Sequence, residues 1–382
     1  LSRTLGINPF DLRRRNAVGP ADPLVVTHVE GEDLIFGSYG LDQCLDLAQA
    51  ALARGNDAPV PPGEHWTVGE GMATAMIATT PPRGHHAQAS VTLDRSGTSY
   101  TVRVGTAEFG NGTTTVHAQL AATALNTTPD RIEILQSDTD AIGYDTGAFG
   151  SAGVVIAGKA VLAAANDLAD RLRLAAAERH REIPAAGWTL EAGGLRSGPV
   201  FVTLAELAEV ADLAEPAGAS VLRGVGAEDG ARRSVAFNVH AFRVAVNTQT
   251  GEVRILQSIQ AADAGVVMNP EQCRGQIEGG VAQAIGTALY EEVILDGAGT
   301  VTTSVLRNYH IPQLADLPVT EVYFAETSDV LGPFGAKSMS ESPYNPVAPA
   351  LANAVRDAIG IRPTELPMSR DRIWRLLHPV RS

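Results

Sequence analysis

The sequence predicts an α+β fold made of two related subdomains with mixed sheets, hairpins and helices. Three observations point to it. Strand-like runs form hairpins in both halves, 87–93 with 99–105 and 235–246 with 253–262. Each hairpin feeds a helix pattern through a glycine-rich turn. Strand and helix patterns also alternate irregularly, unlike the regular series that builds a doubly wound parallel sheet.

Residues 1–16 read as a short helix running into Gly19-Pro20. An amphipathic helix follows over 39–54, with Leu41, Leu45, Leu47, Ala48 and Leu52 inward. Residues 56–63, rich in proline and without periodicity, are a linker. Strands are expected at 72–80, 87–93 and 99–105, the last two joined by the turn Asp94-Arg95-Ser96-Gly97. Next come a helix over 113–126, a strand at 131–136, a loop over 137–153 and a long helix ending near Ile183-Pro184. Residues 187–218 are a less regular excursion with a short helix at 204–213. The second hairpin turns at Asn247-Thr248-Gln249-Thr250-Gly251. A helix over 270–292 contains Gly275, Gly279, Gly280 and Gly286. Glycine in a helix interior costs about 1 kcal/mol relative to alanine, so each should have a packing reason. A strand at 319–324 leads to the loop 335–343. The helix after it has Asn345 as N-cap, Pro346 as first residue and an apolar face of Val347, Leu351, Ala354, Val355 and Ile359. Residues 371–377 form a last short helix. The chain thus divides into residues 1–60, joining from an upstream segment, a first subdomain over 61–230 and a second over 231–382.

Composition narrows the function classes. The 382 residues are 45% hydrophobic and 19% charged, as in a globular protein. A net charge of −14 argues against a nucleic-acid binder. No apolar run reaches the roughly 18 residues of a membrane helix. Two distant cysteines, Cys44 and Cys273, exclude a disulfide framework. They also exclude an iron–sulfur cluster held by this chain alone, which needs about four thiolates. His85 and His86 would point to opposite faces of a strand, and His117 has no histidine one turn on, so no zinc site is expected. Ser151 has no evident His–Asp relay, which leaves a serine hydrolase unsupported.

Three glycine-rich loops each open a helix. They are Gly105-Thr106-Ala107-Glu108-Phe109-Gly110-Asn111-Gly112-Thr113, then Asp145-Thr146-Gly147-Ala148-Phe149-Gly150-Ser151-Ala152-Gly153, then Gly335-Ala336-Lys337-Ser338-Met339-Ser340-Glu341-Ser342-Pro343. Glycine lets backbone N–H groups approach a ligand, and a helix N-terminus offers unpaired donors at a positive dipole end. Three converging ends would suit a polyanionic cofactor rich in hydrogen-bonding groups. Asn111 and Gln276 could donate to it and accept from it at once. Glu341 alone has two readings: a base fixed by the following helix, or a carboxylate that caps it, the commoner case.

The order of the motifs resembles the C-terminal, molybdenum-cofactor-binding half of the xanthine dehydrogenase and aldehyde oxidase family. Residues 105–112 resemble the family's Gly-Thr-x-Glu-x-Gly-Gln-Gly, and Gly158-Lys159-Ala160-Val161 its Gly-x-Ala-Val. Asp263-Ala264-Gly265-Val266-Val267-Met268-Asn269-Pro270 with Gly275-Gln276-Ile277-Glu278-Gly279 resembles Asp-x-Gly-x-x-x-Asn-Pro and Gly-Gln-x-Glu-Gly. Residues 336–343 resemble Ala-Lys-Gly-x-Gly-Glu-x-Pro. The resemblance puts Glu341 on the family's catalytic base. It puts Gln276, Asn111 between Gly110 and Gly112, and Gly150, Ser151 and Ala152 on cofactor contacts. Ser338 and Ser340 stand where the family has glycines beside that base, and Asn111 where it has glutamine. Thr74 lies roughly where xanthine-oxidising relatives keep an aromatic, which disfavours a xanthine-like binding mode.

The implied activity is molybdenum-dependent hydroxylation of an electron-poor carbon, in an N-heterocycle or aldehyde, with water as the oxygen source. The implied cofactor is a molybdopterin, with the cytosine dinucleotide form open. Its dithiolene, rather than a side chain, would hold the metal. The resemblance further implies an upstream molybdopterin-binding segment or subunit, [2Fe–2S] clusters and FAD on partner chains or domains, and a cytoplasmic dimer of heteromers. A carbon-monoxide dehydrogenase-like branch and a non-catalytic scaffold remain as alternatives.

Overall fold

The computed structural model describes residues 1–23, 33–78, 84–214 and 222–379. The helices are α1 (Ser2–Leu5), α2 (Pro9–Asn16), α3 (Leu41–Arg54), α4 (Thr113–Ala124), α5 (Gly158–Arg179), α6 (Leu204–Ala214), α7 (Pro270–Leu289), α8 (Val347–Ile359) and α9 (Arg370–Leu377). The strands are β1 (Leu34–Ile35), β2 (Trp66–Ala78), β3 (Ala87–Leu93), β4 (Tyr100–Val104), β5 (Ile132–Gln136), β6 (Thr189–Glu191), β7 (Gly194–Ser197), β8 (Val200–Thr203), β9 (Arg223–Glu228), β10 (Arg233–Asn247), β11 (Val253–Ala262) and β12 (Thr320–Phe324).

Both expected hairpins form, and each seeds a sheet of the same topology. In the first, β3 and β4 pair antiparallel, β5 joins β4 in parallel after α4, and β9 lies antiparallel on β3. In the second, β10 and β11 pair antiparallel, β12 joins β11 in parallel after α7, and β2 lies antiparallel on β10. A helix then covers the antiparallel edge of each, α5 over β9 and β3, α8 over β2 and β10. The chain therefore holds the same unit twice, as the two related subdomains anticipated. Sheet membership, however, cuts the chain differently from a split at residue 61, because β2 belongs to the second sheet.

Alternation explains the cores. Ala89, Val91, Val102 and Val104 face α4 and α5, while Ser90, Thr92 and Arg103 face away. The second sheet is covered on both faces. Phe242, Val244 and Val246 meet α7 and α8, and Phe237, Val239 and Ala241 meet α3. Such double burial reads as a continuous apolar run rather than as alternation.

The covering helices sit unusually close. A Cβ on Gly69 or Gly71 of β2 would run into the α8 backbone at Ala350, Ala354 and Ala358. A Cβ on Gly224 or Gly226 of β9 would run into the α5 backbone at Ala160, Ala164 and Leu168. The two units thus share a seam of Gly-x-Gly against alanine-rich helix.

Some local expectations need correction. Gly6, at φ 63°, breaks the first helix in two. The excursion after Pro184 is a three-stranded sheet, β6-β7-β8, followed by α6. Helix α5 ends at Arg179 and is preceded by a π-helical turn over Gly153–Ala157. Asn345 caps nothing: it lies in a turn, and Pro346 occupies the cap position of α8. Gly280 makes room for Pro343 and Ser340, and Gly286 for Glu291 and Pro312, but Gly275 and Gly279 have nothing within 4 Å of an added Cβ. The last two residues of the strand expected over 72–80 lie outside the described residues.

Candidate functional site

Each repeat turns two loops toward the other, at the C-terminal ends of β4, β5, β11 and β12. The loop after β4 is built on Glu108. Its carboxylate accepts from the backbone N–H of Gly110 at 2.7 Å, Gly112 at 3.1 Å and Thr114 at 3.0 Å, and from the Thr113 hydroxyl at 3.3 Å. Burial pushes the carboxyl pKa up, but the N–H donors of Thr114, Gly112 and Gly110 outweigh it and bring it down to about 2. The loop is therefore a closed ring around a permanent anion. Asn111 stands at its tip and accepts from Thr113 Oγ1 at 3.2 Å.

The loop after β5 is pinned from beneath. His85 is buried and donates from Nε2 to Gly147 O at 2.6 Å, and Thr146 N donates to His86 O at 2.9 Å. Gly150 and Ser151 then both take left-handed φ values, 60° and 59°. That conformation is ordinary for glycine but costs a serine about 1–2 kcal/mol. Ala152 is buried behind them, and the turn to α5 packs on buried His117, whose Nε2 lies 3.4 Å from Gly153 O. Burial holds the His117 ring down at about 4, so it is neutral.

The loop before α8 hangs on an ion pair. Lys337 is buried and donates from Nζ to Asp263 Oδ2 at 2.6 Å, Val235 O at 2.8 Å and Ser38 O at 3.2 Å. Asp263 also accepts from Thr327 Oγ1 at 2.6 Å. This network ties the loop to the end of β11.

The loops meet through two short chains of hydrogen bonds. Ser340 Oγ donates to Gln276 Oε1 at 3.5 Å, and Gln276 Nε2 donates to Gly110 O at 3.4 Å. Ser151 Oγ donates to Glu341 Oε2 at 3.0 Å, and Glu341 N donates back to Ser151 Oγ at 3.1 Å. Glu341 is exposed, and Ser151 is the one side chain its carboxylate meets among the described residues. Asn111, Gln276, Val154 and Met339 share a small cavity of about 70 Å³ between the loops. The residues singled out from the sequence thus come together, with Ser338 buried beneath them rather than at the surface. Thr74 does not join them. It lies in β2 opposite Val239 and lines a separate groove of about 1260 Å³ beside α1 and α2. Sequence reasoning gave no role to Glu108, Lys337 or Asp263. All three stood inside the quoted motifs, and their burial or pairing was the missing information.

The model of the molybdopterin cofactor-binding domain family matches residues 44–318. The chain belongs to that family. Among curated proteins it is 30% identical over 387 residues to the probable hypoxanthine oxidase XdhD of Escherichia coli (strain K12), covering 100% of this chain and 40% of that protein. It is 30% identical over 396 residues to the nicotine 6-hydroxylase large subunit of Paenarthrobacter nicotinovorans, covering 98% of this chain and 48% of that protein. Among solved structures it superposes on quinoline 2-oxidoreductase from Pseudomonas putida 86 with a TM-score of 0.84 and 29% identity, over 99% of this chain and 50% of that one. The chain therefore spans about half the length of the relatives it matches.

The residues present fit a molybdopterin. Buried Ser338 Oγ and Gln272 Oε1 lack hydrogen-bond partners beside the loops. An added Cβ at Gly110 would meet nothing within 4 Å, so the tip of this loop borders open space. Among the described residues, no three His, Cys, Asp or Glu side chains gather to hold a metal directly, and no helix is long and apolar enough to cross a membrane.

Proposed function

We propose that this chain forms one wall of the active site of a molybdenum-dependent hydroxylase, with Glu341 as its base. The observation that carries this reading is the Glu341 carboxylate: exposed, held at Oε2 by a single hydroxyl, and set among loops that fit a molybdopterin. Asn111, Gln276, Ser338 and Ser340, with the loop surfaces at Gly110, Gly112, Gly150 and Ala152, would hold the cofactor. When bound, that group supplies the oxygen-transfer and two-electron chemistry. Glu341 Oε1, which has no hydrogen-bond partner among the described residues, takes the proton released as the substrate carbon is hydroxylated. Relatives named for hypoxanthine, nicotine and quinoline support an N-heterocycle as substrate.

The span of about half of each relative supports a second segment or subunit that closes the site. Two cysteines are too few for an iron–sulfur cluster on this chain. The family resemblance supports [2Fe–2S] centres and FAD on partner segments of a dimeric heteromer, which would take the electrons. Free thiols also suit a reducing cytoplasm.

The test is Glu341→Gln in the assembled enzyme, with molybdenum and turnover measured on one preparation. Full molybdenum with turnover reduced about 10²- to 10⁴-fold is expected of a lost general base. Turnover within a few-fold of wild type would remove Glu341 from the role. A wild-type complex free of molybdenum and pterin would make the chain a scaffold.

A further inference from the structure

Ser151 and Glu341 occupy the same place in the two repeats. Ser151 sits on the connection from β5 to α5, Glu341 on the connection from β12 to α8. Across the gap they make a reciprocal pair, hydroxyl to carboxylate at 3.0 Å and backbone amide to hydroxyl at 3.1 Å. One hydroxyl thus fixes both the side chain and the backbone of the residue opposite. The geometry supports more than incidental contact. Ser151 holds φ 59°, a conformation disfavoured for serine, next to a glycine at 60°. The strained pair turns Oγ toward the other repeat.

We infer that Ser151 is a positioning residue that aims the Glu341 carboxylate, so that the base of one repeat is oriented by its structural counterpart in the other. This rests on the reading of Glu341 as base and adds what sets its aim. Oε2 accepts from the hydroxyl, which turns that oxygen toward Ser151 and leaves Oε1 facing the gap as the proton acceptor. The same hydroxyl accepts from Glu341 N, so loss of Ser151 Oγ frees the loop at its catalytic residue.

Ser151→Gly separates hydroxyl from backbone, because glycine adopts the left-handed conformation without strain. A hydrogen bond to a charged group is worth about 10- to 100-fold. The expected result is a fall in kcat of that size with KM and molybdenum content held, together with faster amide hydrogen exchange across residues 339–343. Ser151→Asn, which tolerates positive φ and restores a donor, should recover part of kcat. Combining Ser151→Gly with Glu341→Gln should add nothing to Glu341→Gln alone, since one acts through the other. Unchanged kcat and exchange in Ser151→Gly would overturn the inference while leaving Glu341 as base. So would a loss of molybdenum in step with kcat, which would make Ser151 a cofactor-retention residue. An active Glu341→Gln enzyme would instead remove the base reading itself.

Discussion

The repeats place two glutamates on facing loops and use them in opposite ways. Glu108 is saturated: three backbone amides and a hydroxyl surround it, and its loop exists because of it. Glu341 is held by one hydroxyl and otherwise faces solvent, while Lys337, four residues earlier, carries its loop. A carboxylate that builds a loop has no lone pair left for chemistry. A carboxylate on a loop built by something else is free to move a proton. Motif position alone did not separate them.

The comparison breaks most sharply if the two glutamates are exchanged for amides. In the assembled enzyme Glu341→Gln should cost about 10²- to 10⁴-fold in turnover per molybdenum and leave molybdenum in place. Glu108→Gln should do the reverse, lowering molybdenum content with turnover per metal near wild type. The comparison fails if either variant shows the other's pattern. Next in size is the anchor. Lys337→Met leaves Asp263 and Asp329 buried without their cation, and should cost about 3–5 kcal/mol in a denaturant titration. A loss under 1 kcal/mol would mean the loop has another support. Glu108→Gln, which keeps the shape but leaves amide donors short of an acceptor, should cost about 1–3 kcal/mol by the same titration.

A separate effect is read with pH. His117 is held at about 4 by burial, below its ordinary value. The unfolded chain then binds a proton that the folded chain refuses, so stability present above about pH 6.5 is lost as pH falls toward 4. Glu108 is lowered to about 2, so its share persists above the ordinary carboxylate range and is lost only as pH falls toward 2. Stability followed across pH 7 to 4 in wild type and His117→Gln should show the first slope shrink in the variant. An identical slope would assign the acid sensitivity elsewhere.

Much of this was legible in advance, for reasons that can be named. The hairpin 87–104 announces itself because half-buried strands alternate, and 233–262 because β10, covered on both faces, is a nearly continuous apolar run; each turn carries a glycine. Glu341, Gln276 and Asn111 were legible as motif positions. Three things were not. Strand β9 carries two glycines and little apolar signal, because its partner is a helix backbone rather than side chains. β6, β7 and β8 are three or four residues each, too short for a periodicity to register. The roles of Glu108 and Lys337 depend on which donors and acceptors face them, and only the folded loops decide that.

The glycine seams bear on this last point. At Gly69 and Gly71 of β2 against α8, and at Gly224 and Gly226 of β9 against α5, the nearest atom an added Cβ would meet is main chain of the helix. A layer of leucines would let each helix slide by a rotamer's width as the core is substituted. Backbone against backbone has no such slack. The starts of α5 and α8, and with them the distance between Ser151 and Glu341, are therefore gauged by main-chain thickness. Ordinary core drift should leave that distance alone, whereas a single methyl group at Gly71 or Gly226 should change it.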